Sequence, residues 1–261
     1  IIAAGRDAEQ VARVEDAWSV PGRVVSLQDE AALQNALAEV DGVMHCAGPF
    51  EDTAQPMVNA CLDTGTHYLD ITGEWRVFEA LRQRDADAQE AGIVVLPGVG
   101  FDVVPTDCVA ATLAQACPDA TALARGFVGL GALSRGTALT ALRGWGQGSL
   151  MRRNDHLVRM PAGTHTRTVD IAGRSRSLTA IPWGDISTAY HSTGISTIAV
   201  YTHLPPTLQW MLRASESLPA WLRAVLRPVA ESVVRGTVDG PDAQARQAGA
   251  SWVWGHVQCP D

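Results

Sequence analysis

Ile1-Ile2-Ala3-Ala4-Gly5-Arg6-Asp7 opens the chain as a short apolar run, a glycine, a cation and a carboxylate. The apolar run reads as a strand. Asp7 stands where its carboxylate can accept from the free N–H groups of a helix that follows with apolar spacing over Ala8–Ala17. A strand that passes directly into a capped helix is half of a β-α-β unit, and the alternation continues. Arg23–Leu27, Gly42–Cys46, His67–Leu69 and Ile93–Leu96 read as strands, while Glu30–Glu39, Thr53–Thr64 and Trp75–Ala91 read as helices. Gly65 and Gly92 stop the last two helices. Strands separated by helices of this length require right-handed crossovers and a parallel sheet.

From about Thr121 the texture changes. Segments lengthen, Gly, Thr and Ser become frequent, and Thr166–Ile171, Ser196–Thr202 and Ser251–Val257 alternate apolar with polar residues. That pattern suits an antiparallel sheet with one face buried and one open. The fold class expected is therefore α/β, with an incomplete doubly wound parallel sheet over residues 1–119. A second α+β domain over residues 120–261, with a largely antiparallel sheet, would serve the substrate or a dimer contact. The first sheet is expected to be incomplete because Ile1 is not Met and already lies within a strand. The last strand likewise runs almost to the end of the sequence, so both ends read as cut and the chain as a fragment.

The 261 residues are 46% apolar and 18% charged, the balance of a folded globular domain rather than a disordered tail. A formal net charge of −8 argues against a nucleic-acid partner, which needs basic surface. The five cysteines, Cys46, Cys61, Cys108, Cys117 and Cys259, form no C-x-x-C pair. Neither a zinc site nor a disulfide framework is expected, and a reducing cytoplasm fits best. No apolar run reaches the length needed to span a bilayer. Leu204–Val234 places Leu208, Met211, Leu212, Trp221, Leu222, Val225, Leu226 and Val229 at helical spacing among Arg213, Arg223 and Arg227. Two readings stay open there. One is a helix pair packed on the second domain or at a homodimer contact; the other is a helix lying on a membrane surface with Trp anchors and basic flanks.

Four clusters can carry chemistry, each at the carboxyl end of a strand, where open α/β sheets bind ligands. In Gly5-Arg6-Asp7, an arginine offers a charged fork to the 2′-phosphate of NADP, whereas an acidic residue would favour the 2′-hydroxyl of NAD. The same residues also read as a surface cation and a helix cap. Ala47-Gly48-Pro49-Phe50 lets backbone approach a ligand closely, or is a plain turn. Around His67-Tyr68-Leu69-Asp70, Tyr68 can donate a proton, and Asp70 and Glu74 can accept one; Glu74 also reads as a residue favouring a helix start. Gly98, Gly100, Phe101 and Asp102 form a glycine-rich turn before a helix N-terminus, a ready anion site. The seven histidines show no metal-ligand spacing, and no G-x-S-x-G elbow is present.

Taken together, Cys46-Ala47-Gly48-Pro49-Phe50, Ala60-Cys61 through Gly65, His67-Tyr68-Leu69-Asp70, Thr72-Gly73-Glu74 and Gly100-Phe101-Asp102 with Pro105 and Asp107 resemble the saccharopine dehydrogenase-like superfamily. Arg135-Gly136-Thr137, Pro182-Trp183-Gly184-Asp185 and Ser192-Thr193-Gly194-Ile195 extend the likeness across the second half. More narrowly, the set is similar to the branch holding saccharopine dehydrogenase-like oxidoreductases and trans-acting enoyl reductases. The resemblance implies an NAD(P)-binding Rossmann domain followed by an α+β domain. Arg6 matches the 2′-phosphate position and Gly48-Pro49 the nicotinamide-side turn, while Tyr68, Asp70, Glu74 and Asp102 fall on positions facing the cleft. The family's first strand and glycine-rich loop have no counterpart before Ile1, so this polypeptide alone is expected to bind cofactor poorly. The activity implied is reduction by NADPH of a polarised C=C or C=N bond, with Tyr68 as a candidate proton donor and a lipidic or carrier-bound small molecule as substrate. Two other classes stay open: a non-catalytic nucleotide sensor or scaffold, and a lipid-associated protein with a vestigial cofactor site.

Overall fold

The computed structural model describes residues 1–129, 138–139, 142, 144–237 and 250–260. The Arg135-Gly136-Thr137 motif lies outside them. The chain divides into two compact units, residues 1–72 with 76–100, and residues 73–75 with 101–261. The helix Val104–Ala116 falls in the second unit and packs on that unit's sheet.

The first unit has the order β1 (Ala3–Gly5), α1 (Ala8–Trp18), β2 (Gly22–Val24), α2 (Glu30–Leu37), β3 (Gly42–His45), α3 (Phe50–Thr64), β4 (His67–Asp70), then α4 (Trp75–Arg82), which begins in the second unit's short segment, α5 (Asp85–Ala91) and β5 (Val95–Leu96). Asp7 caps α1 by accepting from the backbone N–H groups of Glu9 and Gln10 at 3.0 and 3.2 Å, and Asp29 caps α2 from Ala32. The single helix expected over Trp75–Ala91 is two. Gln83 and Arg84 close tight i→i+3 turns onto Ala80 and Leu81, and Asp85 restarts the helix at a position that suits a carboxylate.

Every ladder in this unit is parallel: β1 pairs β2, and β3, β4 and β5 pair in that order. The two ladders are separate sheets. Leu33, Leu37, Val58, Cys61, Tyr68 and Leu81 form the core. Val24, Met44 and Leu96 stay exposed, and the parallel ladders joined by helices are those expected of an incomplete doubly wound sheet.

The second unit carries a seven-stranded mixed sheet. Its main order is β12 (Ser251–Gln258), β6 (Ala122–Gly129), β11 (Thr197–Thr202), β10 (Arg174–Ala180) and β9 (Thr166–Ile171); β7 (Ser149–Arg153) pairs with β11 and with β8 (His156–Met160). All pairs are antiparallel except β6 with β11, as the alternating pattern suggests. One face is covered by α6 (Val104–Ala116) and α7 (Asp185–Thr193), burying Ala110, Leu123, Ala189 and Ile198. Gly255 permits this contact, since a Cβ there would lie 2.5 Å from the Leu113 side chain.

The sheet also brings together two cysteines that are 142 residues apart. Cys117, after α6, and Cys259, after β12, are joined as a disulfide. The expectation of no disulfide is corrected here: sequence spacing gives no hint of a pairing made by strand β12 returning beside β6. Cys46, Cys61 and Cys108 are free thiols. Leu204–Val234 forms the expected helix pair, α8 (Pro206–Glu216) and α9 (Ala220–Thr237). Among the described residues no helix is long and apolar enough to cross a membrane.

Candidate functional site

Because β3, β4 and β5 are parallel, the turns after them emerge at one edge of their sheet: residues 46–49, 71–72 and 97–100. Asp70, the last residue of β4, ties two of these turns together. Its carboxylate accepts from the N–H of Thr72 at 2.9 Å, from the N–H of Gly98 at 2.8 Å and from the Tyr68 hydroxyl at 2.7 Å, and its carbonyl accepts from Val99. Burial raises the Asp70 carboxyl above its ordinary range, while these three donors pull it back. Gly98 sits at φ +75° against the Phe78 ring, a backbone state that favours glycine. Gly100 packs over Ile71.

This arrangement changes the reading of Tyr68. Its side chain is wholly buried, and its proton is committed to Asp70. Burial and the adjacent carboxylate both push its ionisation upward. It is a core residue that positions Asp70, not a proton donor open to a substrate. Asp70 is likewise fully buried and works through backbone.

The turn after β3 joins Gly48 to Pro49 by a cis peptide. The Pro49 carbonyl accepts from the Asp52 N–H and the Thr53 hydroxyl, starting α3. Phe50, the first residue of that helix, is buried and stands edge-on to His45 at 5.5 Å. Ala47 and Gly48 are exposed beside it. At the end of β1, Arg6 is exposed and makes no ion pair among the described residues, whereas both oxygens of Asp7 are used within α1. Arg6 is the free cation of that turn, and Asp7 is its helix cap.

Glu74, Phe101 and Asp102 belong to the second unit. Glu74 is buried, whereas Phe101 and Asp102 are exposed. Nothing in the sequence reading pointed to the buried cluster of the same unit. There Arg125, inside strand β6, pairs with Asp185 at 2.5 Å and donates to the Thr106 carbonyl, and the Thr106 hydroxyl bonds to Asp185. Burial pushes the Asp185 carboxyl up to about 6, against the pull of Arg125. An arginine within an apolar strand was the available signal. Its partner lies sixty positions away, and Asp185 was quoted only as part of a motif. No group of residues suited to a metal ion occurs among the described residues.

Residues 1–96 match the family model of the saccharopine dehydrogenase NADP binding domain. That stretch is what the chain shares with saccharopine dehydrogenases. The chain is 29% identical over 116 residues to a saccharopine dehydrogenase-like oxidoreductase of Bos taurus, covering 40% of this chain and 27% of that protein. It is 32% identical over 115 residues to a trans-acting enoyl reductase of Mycobacterium leprae (strain TN), covering 41% of this chain and 27% of that protein. The chain thus spans about a quarter of the length of these curated relatives. Apo saccharopine dehydrogenase (L-Glu forming) of Saccharomyces cerevisiae superposes with a TM-score of 0.60 at 14% identity, covering 94% of this chain and 64% of that one. The likeness of fold therefore covers nearly all of the chain, whereas the family model matches only residues 1–96.

Proposed function

We propose that the chain is part of an NADP-dependent reductase acting on a polarised C=C or C=N bond of a lipidic or carrier-bound molecule. The observation that carries this reading is Arg6, an exposed cation without an ion-pair partner at the carboxyl end of β1, within a stretch matching an NADP-binding domain. A guanidinium fork fits a 2′-phosphate and has no comparable use for a 2′-hydroxyl. Bound there, the dinucleotide supplies hydride chemistry. The chain would hold it through Gly5 and Arg6, the turn Ala47-Gly48-Pro49-Phe50, and Gly100 with Phe101. Asp70 keeps the neighbouring turns in place. With Tyr68 sealed in the core, Asp102 is the candidate acid that keeps an exposed side chain. The C=C alternative is favoured by the likeness to the enoyl reductase. The separate ladders β1–β2 and β3–β4–β5 support the reading that this sheet takes a further strand between them, with a glycine-rich loop to cradle the pyrophosphate.

The test is fluorescence titration of the chain with NADPH and NADH, repeated on Arg6→Asp. NADPH should bind more tightly than NADH, and the substitution should weaken NADPH at least about tenfold while leaving NADH nearly unchanged. Equal losses would remove Arg6 from phosphate recognition. Failure to bind either cofactor once the chain is extended by the further strand and glycine-rich loop would remove the cofactor role.

A second reading concerns partners and location. No residue of α9 is buried, and Trp221, Val225, Val229 and Val233 form an exposed stripe at i, i+4, i+8 and i+12. It supports peripheral attachment of a cytoplasmic protein to a lipid surface, or a homodimer contact. Co-sedimentation with vesicles and sedimentation velocity separate the two.

A further inference from the structure

In the second unit, residues 146–148, the end of β8 and the α8–α9 turn border an open surface depression of about 440 Å³ whose walls include Arg159 and Arg223. Each guanidinium is held by main-chain carbonyls. Arg159 donates to Gln147 at 2.9 Å, and Arg223 donates through one terminal nitrogen to Ser215 and Glu216 at 3.3 and 3.2 Å. Neither arginine forms an ion pair among the described residues. Carbonyl bonds fix a guanidinium in place without neutralising it, so both charges remain available in a chain of net charge −8. Glu216 also lines the cavity, but one of its oxygens accepts from the Ala162 N–H at 2.5 Å.

The loop opposite is shaped for this arrangement. Gly146 and Gly148 sit at φ +75° and +79°, and a Cβ on Gly146 would lie 2.5 Å from the Arg223 Nε. Glycine at position 146 is what allows the Arg223 side chain to lie across the loop. A second cavity of about 210 Å³ shares Gly146, Gln147 and Arg223 and adds Trp145, Ala224 and Arg227. Cation and aromatic surface thus stand side by side.

From this geometry we infer an anion-binding site that takes the phosphate group of a phosphoester, with Arg159 and Arg223 as its two forks and the Trp145 side receiving the organic part. The inference is independent of the cofactor reading, whose residues all lie outside these cavities. Phosphate recognition by guanidinium forks is shared by a soluble phosphoester and a lipid headgroup, and the experiment distinguishes them.

Thermal unfolding of the whole chain is followed against inorganic phosphate, with ionic strength held constant by chloride. A saturable rise in melting temperature is expected. The apparent Kd should weaken about tenfold in both Arg159→Gln and Arg223→Gln, and stay unchanged in Arg13→Gln, an exposed control on α1. Unliganded melting temperatures report whether each variant folds. Since Arg223 also closes the α8–α9 turn, Arg159→Gln is the decisive variant. Capture on phosphatidic acid vesicles that inorganic phosphate competes away would identify a lipid headgroup. Saturable phosphate binding without capture would identify a soluble phosphoester. A rise that does not saturate, or one that survives both substitutions, overturns the site.

Discussion

The indole N–H of Trp183 donates to the main-chain carbonyl of Asp102 at 3.0 Å, and the same ring lies against Gly73, where a Cβ would approach it to 3.1 Å. Gly73 and Phe101 are the residues at which the chain enters the second unit. One side chain therefore holds both points of entry. The Gly184 N–H adds a bond to the Gly73 carbonyl at 2.9 Å. Trp183→Phe should keep the packing and lose one hydrogen bond, costing about 1 kcal/mol. Trp183→Ala should cost roughly 3 kcal/mol or more. Urea unfolding of the two variants measures the difference; equal costs would show that packing against Gly73 contributes nothing.

Tyr68 and Asp70 give a prediction against the chemistry their residue types suggest. Tyr68→Phe removes one of three bonds to a buried carboxylate and should cost about 1 kcal/mol, leaving cofactor affinity as it was. Asp70→Ala strands the N–H groups of Thr72 and Gly98 together with the Tyr68 hydroxyl, and should cost about 3 kcal/mol. A large loss of cofactor affinity in a Tyr68→Phe protein of normal stability would restore Tyr68 to the site.

Arg6 and Asp7 are neighbours with separable roles. Asp7→Ala should lower stability by about 1 kcal/mol through loss of the α1 cap, with no preferential effect on NADPH over NADH. Selective loss of NADPH binding in this variant would mean that Asp7 orients the phosphate contact.

Much of the fold was legible before the structure. The strands of the first unit announced themselves because each apolar run ends at a glycine, a proline or a capping residue, as at Gly48-Pro49 and Asp7. The helix pair at 206–237 followed from spacing alone. Pairings between distant residues could not be read. Arg125 with Asp185 and Cys117 with Cys259 both depend on how the mixed sheet brings remote segments together. The surroundings of Tyr68 were hidden for a related reason: residue type gives the available proton, and only burial shows where that proton is held.

Two buried groups give the units opposite responses to acid. Burial lowers His45, in the first unit, to about 4 from 6.5. Its neutral form stabilises the fold above the unfolded pKa, and this contribution of about 3 kcal/mol is lost as pH falls from 6.5 through 4. Asp185, in the second unit, rises from 3.8 to about 6. Its contribution is present below the unfolded pKa and is lost as pH rises through 6. Stability measured from pH 7.5 to 4.5 should fall less steeply toward acid in His45→Phe and more steeply in Asp185→Asn. Above pH 6, where Asp185 is ionised, Asp185→Asn should also cost stability, because Arg125 loses its charged buried partner. Parallel pH profiles for wild type and either variant would rule out that group as a source of the dependence.

The pairing of Ser251–Gln258 with Ala122–Gly129 sets an order of events during synthesis. The first unit has all its described ladders within its opening hundred residues and can consolidate as it leaves the ribosome. Strand β6 emerges soon afterwards but waits, with both edges unsatisfied, for β11 on one side and for β12 on the other. Throughout that interval it is an open template for neighbouring nascent chains, so premature termination shortly before Ser251 should yield insoluble protein rather than a slightly shortened fold.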